Sequence, residues 1–109
     1  MALPNITQTV TGVGKSTVIA LDNMTNPFNI GVGVLISATA TYSVEYTFDD
    51  VSADSFNPLT ATWWTESQYG PTATTTKSVQ FVIPCRGIRL NVAASTGTAT
   101  IYIQQAGLR

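Results

Sequence analysis

The sequence predicts an all-β fold, an antiparallel β-sandwich of the jelly-roll or immunoglobulin-like type with seven or eight short strands. Three runs with a strict two-residue hydrophobic period fill the segment from Lys77 to Gln105. Turn-forming residues recur roughly every ten residues, and no segment shows a helical period. Because side chains of a strand alternate between its faces, each run predicts one buried face. The residues expected to point inward are Val79, Phe81, Ile83, Ile88, Leu90, Val92, Ala99, Ile101 and Ile103.

Two turns divide this last third into three strands. Pro84–Gly87 and Ala94–Gly97 consist of residues that favour turns. Since consecutive strands joined by short turns commonly pair, the segment predicts a three-stranded antiparallel meander. Its inner row should form the core. Any function of the meander should then lie on its outward residues, which are Arg86, Arg89, Asn91 and Tyr102.

The beginning of the chain predicts an attachment segment followed by one domain. We expect residues 1–15 to be an N-terminal arm or edge strand, and residues 16–109 to be a single β-sandwich domain. An arm would add a strand to an exposed sheet edge of a neighbour. Gly12–Lys15 reads as a tight turn, and Ser16–Leu21 as a strand covered on both sides, because its centre is apolar on both parities.

The middle of the chain predicts a hairpin over residues 30–48. In its first strand Gly31 and Gly33 lie opposite the apolar residues, which leaves room for another backbone or an aromatic ring. In its second strand we expect an inward row of Ala40, Tyr42, Val44, Tyr46 and Phe48. A further strand is expected over residues 60–65, with Trp63 and Trp64 on opposite faces.

Composition excludes several function classes. Charged residues make up only 10% of the chain, against about 25% in ordinary domains. Such a surface predicts burial against neighbouring chains, as in a homodimer or homotrimer. The net charge of −1 and the scattered Lys and Arg residues argue against a nucleic-acid partner. No apolar run approaches the ~20 residues of a membrane span, and the first residues lack the pattern of a signal peptide, so no membrane partner is expected.

Catalytic and metal-binding patterns are weak. The chain has no histidine and a single cysteine, Cys85, which removes the commonest general base and any zinc site. Gly12–Ser16 ends like a phosphate-binding loop, but the first glycine of that motif is replaced by Thr9 and strand-forming residues follow. Glycoside hydrolysis needs two carboxylates that face each other across a cleft, and nothing in the sequence favours Glu45 and Glu66 over any other pair. We expect no enzymatic activity and no cofactor.

Two further groups have a functional and a plain interpretation. The acidic loop of Asp49, Asp50 and Asp54 carries oxygen ligands that suit calcium, but it lacks the glycine and distal glutamate of a known calcium loop, and a solvated loop is favoured. No metal is therefore expected. Arg86 and Arg89 flank the first turn of the predicted meander, where they either pair with a neighbour's carboxylate or are solvated.

Aromatic residues give the remaining candidate surface. Trp63, Trp64 and Tyr69 are of the type that stacks on sugars or peptides. The favoured alternative is that one tryptophan fills the core and the other lies at a subunit contact. The possible interaction surface therefore comprises Trp63, Trp64, Tyr69, Arg86, Arg89 and Tyr102.

Three segments resemble small structural proteins encoded among the head genes of tailed bacteriophages. They are YSVEYTFDDV (42–51), FNPLTATWW (56–64) and FVIPCRGIRLNVAASTGTATIYIQQAG (81–107). The resemblance implies a virion protein made in the host cytoplasm, specifically a capsid decoration or cement protein that binds major capsid protein subunits and stabilises the shell. A head–tail connector or tail component is the first alternative. The aromatic residues leave open a second, a carbohydrate- or receptor-binding module.

Overall fold

The computed structural model describes residues 5–21 and 26–108. All regular structure in these ranges is β-strand, which confirms the predicted all-β class. The strands are β1 (Asn5–Thr11), β2 (Gly14–Lys15), β3 (Ile19–Ala20), β4 (Asn26–Ile36), β5 (Ala40–Thr47), β6 (Trp64–Thr65), β7 (Lys77–Phe81), β8 (Gly87–Ser95) and β9 (Thr98–Leu108). No helix able to cross a membrane is found in these residues.

The strands form two antiparallel sheets that pack face to face as a β-sandwich. Sheet A has the order β1-β9-β4-β7, and sheet B has the order β2-β8-β5-β6, with β3 also paired to β8. β1 is an edge strand, paired with β9 from Asn5↔Gln104 to Thr11↔Thr98. Whether the first 15 residues act as an arm towards a neighbour stays a prediction.

The predicted meander is wrong, because its three strands divide between the two sheets. β7 pairs with β4, β8 pairs with β5, and β9 pairs with β1 and β4. The segment after Phe81 carries the chain from sheet A to sheet B, and the turn at Thr96–Gly97 returns it. The hydrophobic period specifies the buried face of a strand. It does not specify which strand lies beside it.

The predicted hairpin over residues 30–48 is also wrong, since β4 belongs to sheet A and β5 to sheet B. The connection at Ser37–Thr39 crosses between the sheets and lies against the connection at Thr96–Gly97, which crosses in the opposite direction. Thr96 N donates to Thr39 O over 2.9 Å, and the Ser37 and Thr98 hydroxyls are 2.9 Å apart. A Cβ at Gly97 would lie 2.5 Å from Ser37 O, so only glycine allows the two crossings to touch.

The segment Ser16–Leu21 is not the strand covered on both sides that its sequence predicts. It is an interrupted edge of sheet B, in which β2 and β3 pair with different parts of β8. Ser16 bridges the interruption: its N–H donates to Leu90 O over 2.8 Å, and its hydroxyl accepts from Leu90 N over 2.9 Å. A side-chain oxygen therefore takes the place of a backbone carbonyl in the ladder.

The core between the sheets contains most of the predicted inward residues. Those that are buried as predicted are Phe81, Ile88, Leu90, Val92, Ala99, Ile101, Ile103, Ala40, Tyr42 and Val44. The predictions for Ile83 and Phe48 are wrong, because these side chains are 43% and 48% exposed. The prediction for Thr47 is also wrong: its parity predicts an outward side chain, but the residue is fully buried. Both exposed residues lie beyond the last residue of their strand, where the two-residue alternation no longer applies.

Candidate functional site

The structure divides the predicted site residues among several places. Trp64 lies at the edge of the sandwich where β6 and β7 run. Trp63 and Arg89 lie together on the outer side of sheet B, and Arg86 lies beside Asp50 in the adjoining loop. Tyr102 lies on the outer face of sheet A and is 41% exposed. Tyr69 is only 7% exposed. The six residues therefore do not form one surface.

Four aromatic rings lead from the core to the solvent at one edge. Tyr46 packs on the buried Phe81 with ring centroids 5.0 Å apart, and on Phe48 at 5.7 Å. Phe48 meets Trp64 edge-on at 6.2 Å. The outer two rings are about half exposed, Phe48 at 48% and Trp64 at 51%. We call Phe81, Tyr46, Phe48 and Trp64 the aromatic edge.

Local sequence explains why this edge is open. β6 has only two residues, Trp64 and Thr65, so it covers little of β5. Trp64 is paired with Tyr46 across the two strands, so their side chains lie on the same face of sheet B. Val82 and Ile83 come directly after Phe81 and are 56% and 43% exposed. Apolar side chains thus continue past the ends of β5 and β7, where no other strand of the described chain covers them.

On the outer side of sheet B, Trp63 covers an ion pair. Arg89 Nε donates to Glu45 Oε1 over 2.9 Å, and the two side chains are 8% and 17% exposed. The Arg89 guanidinium lies 3.8 Å from the centroid of the Trp63 ring, a cation–π contact. Trp63 is fixed in turn by a 3.0 Å hydrogen bond from Nε1 to Pro58 O. Arg89 is therefore part of the fold and is not available to a neighbour's carboxylate.

The acidic loop lies within residues 48–63, which fold back over sheet B, and two of its three carboxylates accept hydrogen bonds from the backbone of the same segment. Asp49 Oδ2 accepts from Thr62 N over 3.0 Å, and Asp50 Oδ1 accepts from Ser52 N over 3.1 Å. Asp50 also faces Arg86 at 3.6 Å, with both side chains about half exposed, so that pair stabilises little. Within the described ranges, no group of three or more metal-ligating side chains is brought together.

Tyr69 anchors the long loop between β6 and β7 to the core. Its hydroxyl lies 2.7 Å from Val32 O and 2.8 Å from Lys77 O. Its N–H donates to Glu66 Oε1 over 2.9 Å. Burial raises the pKa of the Tyr69 phenol above its ordinary value, so the hydroxyl stays protonated. An aromatic platform made of Trp63, Trp64 and Tyr69 is therefore not formed, because one ring is buried and another is covered on one face by Arg89.

Cys85 lies in the core between β7 and β8. It is 1% exposed, and burial raises the pKa of its thiol to about 12. The thiolate is the nucleophilic form of cysteine. A buried, protonated thiol of this kind acts as a small apolar residue.

The two-residue alternation places Phe48 and Ile83 in the core and does not point to Val82, so of the four exposed apolar residues here only Trp64 was singled out from the sequence. The available signal was the density of apolar residues around the predicted strand ends. Alternation alone could not show where β5 and β7 stop.

Comparisons with known proteins identify no family. No protein-family model matches the chain, and no curated protein matches it. Among solved structures, the chain is similar to IMPa from Pseudomonas aeruginosa in complex with an O-glycopeptide, at 18% identity and a TM-score of 0.49. The match covers 97% of this chain and 13% of that one, so the chain spans about an eighth of the length of IMPa. A likeness at this level carries no inference about function.

Proposed function

We propose that the protein is a non-enzymatic structural protein of a tailed-phage virion, specifically a decoration protein that binds major capsid protein subunits on the capsid surface. The segments 42–51, 56–64 and 81–107 support the class by their resemblance to proteins of phage head genes. The charged fraction of 10% supports a surface that is covered by neighbouring chains.

The aromatic edge is the observation that carries the proposal. Phe48 and Trp64 are half exposed, yet they are continuous through Tyr46 with the buried Phe81. Exposed aromatic side chains that rest on a rigid core are typical of the residues that contribute most to protein interfaces. Their exposure also leaves apolar area that an interface would remove from water, at about 25 cal/mol per Å².

The proposed mechanism is mechanical. Each copy rests on a contact between shell subunits, and its aromatic edge fills a groove in the capsid protein. The buried area then resists separation of those subunits under internal pressure. Dimeric or trimeric decoration proteins would repeat this contact symmetrically. The rigid two-sheet core and the absence of histidine from the sequence support a role without catalysis.

Rebinding to particles that lack the protein tests this function. Purified protein is mixed with such particles, which are then sedimented, and the bound copies per shell subunit are counted. We expect saturable binding, and we expect the double variant Phe48→Ala/Trp64→Ala to lower the affinity about tenfold or more. Tyr102→Ala is the matched control, because it removes a similarly exposed ring from the outer face of the other sheet.

Two outcomes would contradict the proposal. Wild-type protein that fails to bind the particles would exclude a decoration role. Undiminished binding by the double variant would exclude the aromatic edge as the contact. A low, fixed copy number would instead favour the alternative of a head–tail connector or tail component, since such parts occur once or a few times per particle.

A further inference from the structure

The outer face of sheet A contains a trough whose floor is the backbone of β4. Gly31 and Gly33 point outward on this strand, between the buried Ile30, Val32 and Val34. The register places Gly31 between Gln104 and Gln80. It places Gly33 between Tyr102 and Ser78. Because the glycines have no side chains, the flanking residues form two walls above an open floor.

The trough has the size of a binding site for a narrow chain. It consists of two adjoining open clefts of about 490 and 430 Å³, which share Gly33, Ser78 and Tyr102. The strands that carry its walls, β7 and β9, lie two strand spacings apart, about 9.6 Å between backbones. From Gly31 to Leu35 the floor runs about 13 Å. These dimensions suit a ligand made of one row of linked six-membered rings.

The chemistry of the trough is uncharged. Its walls offer two amides, one serine hydroxyl and one half-exposed tyrosine ring, from Gln80, Gln104, Ser78 and Tyr102. Gln80 Nε2 donates to Asn29 Oδ1 over 3.2 Å, which orients the amide and leaves its oxygen available as an acceptor. Lys77, at one end, is held away by a 2.7 Å hydrogen bond from Nζ to Gln68 O.

We propose that this trough binds a neutral oligosaccharide, with a sugar ring against Tyr102 and sugar hydroxyls bonded to the amides of Gln80 and Gln104. Amide and hydroxyl groups without charge complement sugar hydroxyls, and the flat face of an aromatic ring complements the apolar face of a sugar. The site is separate from the aromatic edge and does not depend on the capsid-binding proposal.

An extended peptide is a poorer occupant of the same trough. Peptides bind sheets chiefly by pairing with the free backbone groups of an edge strand. β4 is an inner strand, and its backbone is already paired with β7 on one side and β9 on the other. The floor therefore offers shape and apolar contact without a ladder of free hydrogen bonds.

Titration with defined oligosaccharides tests the inference. The probes are cellohexaose, maltohexaose and mannohexaose, with a hexagalacturonate as the charged comparison, and binding is followed by saturation-transfer NMR and calorimetry. We expect at least one neutral probe to bind and the charged one to bind at least about tenfold more weakly. Tyr102→Ala should weaken the neutral probe about tenfold.

Gly33→Val is the second variant, because it places a side chain on the floor of the trough. A Cβ at Gly33 would lie 3.9 Å from the Cβ atoms of Ser78 and Tyr102, an ordinary contact, and valine favours strands. We expect a folded protein with binding reduced at least tenfold, whereas the control Trp64→Ala binds like wild type. The inference is overturned if no neutral probe binds at millimolar concentration. It is equally overturned if both trough variants bind normally, or if Trp64→Ala abolishes binding.

Discussion

Replacing Glu45 with glutamine measures how much the ion pair beneath Trp63 stabilises the fold. Glutamine keeps an acceptor oxygen but removes the charge, so the Arg89 guanidinium, with its side chain 8% exposed, stays buried without a carboxylate. Removal of one partner of a buried pair costs about 3–5 kcal/mol. Glu45 retains 17% exposure and the Trp63 ring still lies 3.8 Å from the guanidinium. We therefore expect a loss of about 2–3 kcal/mol in the free energy of unfolding.

Urea unfolding of a double-mutant cycle checks this value. The second substitution is Arg89→Met, which keeps an apolar stem under Trp63, and the expected coupling between the two sites is about 1–3 kcal/mol. The matched control is Asp50→Asn, which breaks the exposed pair with Arg86 and should cost less than about 1 kcal/mol. The reasoning fails if Glu45→Gln costs no more than Asp50→Asn, or if the coupling is close to zero.

Further predictions concern the packing at two glycines and the buried Cys85. Gly87→Ala should lower the free energy of unfolding in urea by about 1–3 kcal/mol, because the new Cβ would lie 2.6 Å from Val51 Cγ1. Gly31→Ala is the control and should be neutral, because its Cβ would meet no atom closer than 3.9 Å. Equal effects of the two substitutions would contradict this packing. Cys85 should react with a thiol reagent at pH 8 only after unfolding. Because burial raises the pKa of Cys85 from 9.0 to about 12, the folded state holds a proton that the unfolded state releases, so stability should fall as the pH rises from about 9 to 12. Cys85→Ala should flatten this decline, and an unchanged slope would refute its origin.

Much of the fold class could be predicted from the sequence alone. The alternation in Ile88–Val92 and Ala99–Ile103 predicted buried faces, and all their inward residues are buried. The same patterns could not predict pairing, because an apolar row is satisfied equally by either sheet of a sandwich. The pairing depends on contacts between distant turns, such as Gly97 against Ser37.

The candidate site was less accessible to sequence reasoning. Gly31 and Gly33 predict space for another backbone or an aromatic ring on one face of the strand, and the structure has an open trough at this place. Arg89 and Tyr69 were expected on a surface, but each is held by partners far away in sequence, Glu45 and Val32 O respectively. Such partners are set by the crossing of the chain between the sheets, which no local pattern encodes.

The sequence by itself determined that this chain is an all-β sandwich and which face of most strands is buried. The reason is that a two-residue hydrophobic period places all the apolar side chains of a strand on one face, which must then be covered. Only the tertiary structure decided that β8 belongs to sheet B while β7 and β9 belong to sheet A, and that the aromatic edge reaches the solvent beside β6 and β7. The physical reason is that burial of apolar area is non-directional, whereas strand partners and open edges depend on where the connections cross and where strands stop.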